Sequence, residues 1–319
     1  MSRYVVTGGA GFIGSAVVRA LLEKPGATVS VIDDLSSGKL ENLEEVRGAV
    51  AFHRADIRDF AAVRELVDRA DAVFHLAAIP SVPRSIDDPL RSHEVNIDGT
   101  FHVLRACAGA GVRRVVYAAS SSAYGDSEEL PKRESMAPRP KSPYAVQKLA
   151  GEYYASVFHE CFALETVSLR FFNVYGPRQD PSSPYSGVIS IFMTCLLERR
   201  APTIHGDGEQ SRDFTYVEDV AALCLKAASA AGACGKTYNA GTGNRYTLNQ
   251  IWKVLCRIEG VDNQPRYAEE RPGDIRHSQA DITAAVEDLG HAPRISIEEG
   301  LRRTLDWYRC NRSVPGGKP

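Results

Sequence analysis

Thr7-Gly8-Gly9-Ala10-Gly11-Phe12-Ile13-Gly14 decides how this chain folds. The stretch follows a β-branched run, Tyr4 to Thr7, and leads into an amphipathic one, Phe12 to Glu23, so its glycines stand where a strand turns into a helix. Glycine there permits the tight turn and a close backbone approach. The helix start offers free N–H groups and a positive dipole end to a pyrophosphate. Asp33 ends the next β-branched run, Thr28 to Asp33, about twenty residues past the last glycine. A carboxylate in that place accepts from an adenosine ribose and repels a 2′-phosphate, which favours NAD over NADP.

The same alternation continues outward. Further strands are expected at Ala72 to Leu76, Val115 to Ser120 and Glu165 to Phe171, with a helix over Asn96 to Ala110 between them. Alternating strands and helices predict an α/β fold, a Rossmann-type doubly wound parallel sheet over residues 1–172. Past Phe172 the pattern loosens. Pro177, Pro181 and Pro184 with Ser182, Ser183 and Ser186 mark a loop, and short strands (Thr203 to His205, Thr237 to Ala240) alternate with helices (Leu248 to Ile258, Ile297 to Tyr308). Residues 173–312 are therefore expected to form a smaller α/β substrate-binding domain with segments returning to the sheet, and 313–319 a tail.

At 319 residues the chain is long enough for a large core, and its formal net charge of −2 gives no electrostatic support to nucleic-acid binding. Seven scattered cysteines without Cys-x-x-Cys spacing argue against a disulfide framework and a zinc site. The dispersed histidines His53, His75, His93 and His102 form no ligand pair, and no metal is expected. No apolar run approaches the ~20 residues of a membrane span, and the first strand leaves no room for a signal peptide. The expectation is a cytoplasmic protein without a membrane partner.

Ser142-Pro143-Tyr144-Ala145-Val146-Gln147-Lys148 reads as a helix start, with Ser142 as cap and Pro143 in the first turn. Tyr144 and Lys148 then share one face. A phenol with an ordinary pKa of about 10 needs a neighbouring positive charge to act as a base at neutral pH, and Lys148 supplies one. Ser120 can hydrogen bond the same substrate oxygen. Asp56 and Ile57 fit either side of an adenine, or equally a solvated turn before a helix. Leu76, Ala77 and Ala78 supply small side chains where bulk would collide with a dinucleotide, although small residues also suit close packing.

Taken together, Gly8-x-x-Gly11-x-x-Gly14, Asp33, Asp56, His75-Leu76-Ala77-Ala78, Asn96, Ser120 to Gly125, Tyr144-x-x-x-Lys148 and Arg170-Phe171-Phe172-Asn173-Val174-Tyr175-Gly176-Pro177 resemble the extended short-chain dehydrogenase/reductase family. Within it the chain looks most like the nucleotide-sugar 4-epimerases, in particular those accepting UDP-N-acetylhexosamines. The resemblance implies a bound NAD, held by Gly8, Gly11, Phe12, Ile13, Gly14, Asp33, Asp34, Ser37, Gly38, Asp56, Ile57, Leu76, Ala77, Ala78, Asn96, Tyr144, Lys148, Phe171 and Val174. It implies a UDP-sugar held by Ser122, Asn173, Gly187, Val188, Thr203, Ile204, His205, Arg212, Arg271, Asp274 and Ser278, and catalysis by Ser120, Tyr144 and Lys148. It also implies a homodimer built by packing Thr100 to Gly109 and Ala145 to Phe158 into a four-helix bundle.

Among the reactions of such enzymes, elimination of water from the sugar calls for an acid and a base next to the catalytic hydroxyl, and decarboxylation usually for a Glu there. The run here is Ser120-Ser121-Ser122, without a carboxylate. Oxidation followed by re-reduction remains: 4-epimerisation, with an ordinary dehydrogenase as the rival that needs exchangeable NAD. Four residues after Asp274, Ser278 occupies a position where the resemblance places a bulky Tyr in enzymes limited to unsubstituted hexoses. A Ser there leaves room for an acetamido group, or is a polar loop residue without a steric part. A UDP-glucose or UDP-uronate epimerase and a non-catalytic NAD or nucleotide-sugar sensor are the other readings, and a sensor needs none of Ser120, Tyr144 and Lys148.

Overall fold

Arg114-Val115-Val116-Tyr117-Ala118-Ala119-Ser120 is buried over all but its last residue, as a strand must be when helices cover both faces of its sheet. In the computed structural model, which describes residues 2–180, 187–270 and 275–311, it belongs to a seven-stranded sheet. The strands are β1 (Ser2–Thr7), β2 (Ala27–Asp33), β3 (Val50–Arg54), β4 (Ala72–His75), β5 (Arg114–Ser120), β6 (Glu165–Phe171) and β7 (Lys236–Ala240), in the order β7-β6-β5-β4-β1-β2-β3. Every pairing is parallel. The strand order reverses between β1 and β4, and the carboxyl ends of these two strands flank the crevice where such sheets bind ligands.

Helices Phe12–Leu22 and Val217–Ala227 cover one face, with Val17, Val18, Leu21, Val220 and Leu223 in a core shared with Val31 and Phe74. On the other face, Val103 and Leu104 of helix Thr100–Gly109 and Phe158 of helix Pro143–Phe162 pack with Val5, Val73 and Val115. Beyond residue 173 the chain does two things. Val217–Ala227 and β7 join the sheet and its cover, whereas helices Val188–Leu197, Leu248–Glu259 and Ile297–Cys310 build a separate core around Phe192, Trp252, Leu301 and Tyr308.

Strand ends fall within one or two residues of those expected, the helix expected to stop at Phe158 runs on to Phe162, and one segment differs in kind. The segment expected as a single helix over Asn96 to Ala110 opens instead as a π-helical turn, Glu94–Gly99, before the α-helix. Its cause is local. The Asn96 amide is drawn to Ile79 and Gln147 rather than to solvent, and Gly99 lies so close to Ile57 that an added Cβ would come within 2.7 Å of its Cδ1. Such turns are common where a helix serves a functional site. Pro181, Ser182, Ser183, Pro184 and Ser186 of the expected loop, and the 313–319 tail, lie outside the described residues.

Candidate active site

Gly8 takes φ +70°, open to glycine and costly for other residues. A Cβ there would come within 2.7 Å of the Ala77 backbone N, and one on Gly14 within 2.0 Å of the Gly8 carbonyl oxygen. The turn thus lies flat on the ends of β1 and β4. Asp33, buried at the end of β2, accepts from the backbone N–H groups of Ala10 and Leu35, both at 2.9 Å. Burial pushes its pKa up, against those two bonds. Gly38 crosses directly over the same carboxylate. Asp34 closes the neighbouring turn by accepting from the Ser36 N–H. Asp56 pairs with Arg58 at 2.7 Å, which holds its carboxyl below the usual range, and Ile57 is buried.

Helix Pro143–Phe162 begins at Ser142, whose side chain accepts from Ala145 N–H. The N–H of Tyr144 is taken by Ser85 Oγ at 3.0 Å, so a buried serine from helix Val82–Asp87 fixes the first turn. Tyr144 hydrogen bonds Ser120. Burial raises its phenol above 10, and the Ser120 bond works in the opposite direction. Lys148 is buried, its Nζ 4.8 Å from the centre of the Tyr117 ring, and desolvation brings its pKa down to about 7. Before any ligand enters, the phenol is therefore protonated at neutral pH and the ammonium is poised to lose its charge.

A buried chain of hydrogen bonds ties this helix to the glycine turn. Ala77 N–H donates to Thr7 Oγ1 (3.3 Å), which meets His75 Nδ1 (2.7 Å); His75 Nε2 meets Thr100 Oγ1 (3.0 Å). Thr100 bonds Tyr117, whose hydroxyl donates to the Lys148 carbonyl at 3.2 Å. With both ends fixed, a single direction of donation satisfies every member and assigns His75 the Nε2–H tautomer. Burial, and secondarily Lys148, lowers its pKa to about 3, so the ring stays neutral. The Tyr117 hydroxyl leaves no room for a side chain at residue 151, where a Cβ would come within 2.2 Å; Gly151 is the residue found there.

One turn beyond Lys148, Glu152 forms a buried two-point ion pair with Arg170 (2.6 and 2.9 Å). The guanidinium also lies over the Tyr124 ring at 4.7 Å. This pair joins the Tyr144 helix to the end of β6, from which Phe171, Phe172 and Asn173 run into a cavity of about 230 Å³. Ser120, Ser122, Asn173, Arg212 and Ser278, and Phe171, which was expected at the dinucleotide, line that cavity together with Ser121, Tyr124, Gly125, Lys132, Phe172 and Ile275. Ser122 Oγ donates to Ser120 Oγ at 2.9 Å, and Arg212 Nη1 donates to the carbonyl of Arg276.

Other expected residues stand elsewhere. Thr203–His205 pairs with Arg266–Ala268, with Ile204 buried in the second core, and Gly187 caps helix Val188–Leu197. Val174 lies on the strand Asn173–Tyr175 and packs against the sheet's core. Asn96 has its side-chain oxygen on Ile79 N–H and its NH₂ on Gln147 Oε1, so its amide serves to hold the Tyr144 helix. Arg271 and Asp274 lie outside the described residues. Sequence reading gave no role to Lys132, Gln147, Glu152 and Arg170, and it offered Ser85, with Arg84, either a place near the sugar or a loop role, whereas Ser85 Oγ takes the Tyr144 N–H. Glu152 carried a signal, the same helical spacing from Lys148 that Lys148 has from Tyr144; Lys132 carried none.

The sequence profile of the NAD dependent epimerase/dehydratase family matches residues 4–241, a span that includes the glycine turn, Ser120, Tyr144, Lys148 and Asn173. The chain belongs to that family. It is 39% identical to a UDP-glucose 4-epimerase of Mycolicibacterium smegmatis, over 96% of this chain and 98% of that protein. Among solved structures it is similar to the UDP-N-acetylglucosamine 4-epimerase of Methanobrevibacter ruminantium, in complex with UDP-N-acetylmuramic acid (TM-score 0.93, 40% identity, 98% of this chain and 99% of that one). It is equally similar to the UDP-glucose 4-epimerase of Thermotoga maritima with UDP-glucose (TM-score 0.91, 40% identity, 97% and 99%). The residues present fit the family's dinucleotide. The Gly8–Gly14 turn is a backbone surface that any Cβ would fill, it opens a helix N-terminus without an acidic first turn, and Asp33 closes it on one side.

Proposed function

We propose that this protein is an NAD-dependent 4-epimerase of UDP-hexoses, interconverting UDP-GlcNAc and UDP-GalNAc and also UDP-Glc and UDP-Gal. The observation that carries the reading is Ser120, hydrogen bonded to Tyr144, on the wall of a cavity without an Asp or Glu among its described lining residues. Oxidation at C4 needs one base and one hydride acceptor. Elimination needs a further acid and base, for which that lining offers no carboxylate.

NAD, when bound, supplies the hydride acceptor and returns the hydride. Tyr144 takes the proton of the C4 hydroxyl as the carbon loses hydride, and gives it back after the 4-keto sugar has turned its other face. Ser120 donates to the same oxygen. The ammonium form of Lys148 opposes the cost of a buried phenolate. Arg212 and Asn173, with Arg271 and Asp274, are assigned to the diphosphate and ribose, because guanidinium forks match phosphate oxygens; the backbone of 203–205 is assigned to the base. Ser278, at the cavity wall, leaves space for an acetamido group.

A homodimer is part of the proposal. Phe101, Val146, Tyr153, Val157 and Phe162, on the two helices expected in the bundle, expose apolar side chains, and size-exclusion chromatography with light scattering should give twice the chain mass. Seven free cysteines support a reducing, cytoplasmic setting.

The test is proton NMR of purified protein without added NAD, incubated with UDP-GlcNAc and with UDP-Glc. Growth of the galacto anomeric signals is expected. Silence with both, before and after NAD is added, would remove the epimerase assignment or its substrate class.

A further inference from the structure

Among the described residues, Lys132 and Arg212 are the two cations lining the 230 Å³ cavity. The Lys132 side chain is 2% exposed, and its Nζ donates to the Ser127 carbonyl. An ammonium has three donors, so one such bond leaves two to be satisfied within a site that excludes most water. The main chain that carries them is fixed. Lys132 N–H donates to the Gln279 carbonyl, its own carbonyl accepts from Asp281 N–H, both at 2.8 Å, and Lys132 pairs with Ala280. The residue is stitched to the segment directly after Ser278, on the wall whose small side chain makes room in the cavity. Burial pulls the ammonium's pKa down, and Glu129 and Asp126 hold it up.

We propose that Lys132 is a substrate-binding residue whose ammonium donates to the carbonyl oxygen of a sugar acetamido group seated beside Ser278, which makes it a determinant of selectivity for N-acetylhexosamines. The inference rests on the reading of this cavity as the sugar pocket. A charge-assisted donor held away from water discriminates strongly between a substrate that supplies an acceptor and one that does not, because the unfilled site leaves a buried polar group unpaired.

The experiment is calorimetric titration of the NAD-loaded protein with UDP-GlcNAc, UDP-Glc, UDP-glucuronate and UDP. Lys132→Met should weaken UDP-GlcNAc roughly 10- to 100-fold and change the other three by less than about threefold. Equal weakening of all four, or no change, overturns the assignment. A loss confined to UDP-glucuronate also overturns it, moving the ammonium to the sugar's C6. Should the Met variant not fold, Lys132→Gln, which retains a donor for Ser127, is titrated in the same way; a selective loss of at least about fivefold supports the proposal and a parallel or absent loss defeats it. If the wild-type protein binds UDP-GlcNAc no better than UDP, the sugar-pocket reading itself falls. If it does bind and Lys132→Met matches it, only Lys132's part is lost.

Discussion

The two halves of the site are made of different material. The dinucleotide crevice is built from backbone: contiguous glycines, a helix start, and one carboxylate that braces the turn. The cavity proposed for the sugar is built from side chains of segments far apart in the chain, around Ser120, Lys132, Asn173, Arg212 and Ser278. Backbone surfaces tolerate almost no change but select only for a shape and a charge. Side-chain walls tolerate change and select among similar substrates. Between them stands helix Pro143–Phe162, fixed to the crevice by the Ala77–Thr7–His75–Thr100–Tyr117 chain and to the cavity by Glu152 and Arg170.

The sharpest cut falls on that helix. Tyr144→Phe keeps the ring and removes the proton carrier, so turnover should drop by about 10³- to 10⁴-fold while calorimetry still detects UDP binding. Retained turnover would mean that the proton leaves by another route, and loss of both would mean that Tyr144 serves the fold.

Acid should reach the hinge between the halves through His75. Its folded pKa of about 3 lies below the ordinary value near 6.5, so the unfolded chain takes up the proton first. The stabilisation is complete above about pH 6.5 and is lost as pH falls toward 3, on the order of 5 kcal/mol in all. Denaturant unfolding followed across that window should show it, and His75→Gln, which does not titrate there, should flatten the acid limb. An unchanged acid limb would mean that His75 titrates alike in the folded and the unfolded chain.

Gly14→Ala tests the backbone half alone. Its Cβ would meet the carbonyl of Gly8, which cannot rotate away, and a cost of about 3 kcal/mol is expected, with NAD lost from the purified protein. Gly48→Ala, where nothing lies within 4 Å, is the control and should retain NAD. The gentlest probe is of the side-chain half. Ser278→Tyr should reduce activity on UDP-GlcNAc roughly tenfold relative to UDP-Glc and leave bound NAD in place. Equal activity on both would assign Ser278 a polar loop position without a steric part.

Legibility followed the same division. Thr7 to Gly14, Asp33 and Tyr144-x-x-x-Lys148 are signals within one turn or one helix, and the parallel sheet followed from alternation, so fold and cofactor half were readable with strand ends correct to a residue or two. The π-helical turn at Asn96 was not, because its cause is Gln147, on another helix. Phenol chemistry was expected to depend on Lys148 lowering the pKa of Tyr144. In the folded chain burial dominates both groups, raising one and lowering the other.

By itself the sequence determined the doubly wound sheet and the glycine turn at the end of its first strand, because short-range periodicity and glycine's freedom at positive φ act over a few residues. The tertiary structure alone decided which charges share the cavity beside Ser120 and which donors hold the Tyr144 helix in place. Lys132 meets Gln279, Glu152 meets Arg170 and His75 meets Thr100 only once the chain has folded, since burial and contact between distant segments leave no mark on the local pattern.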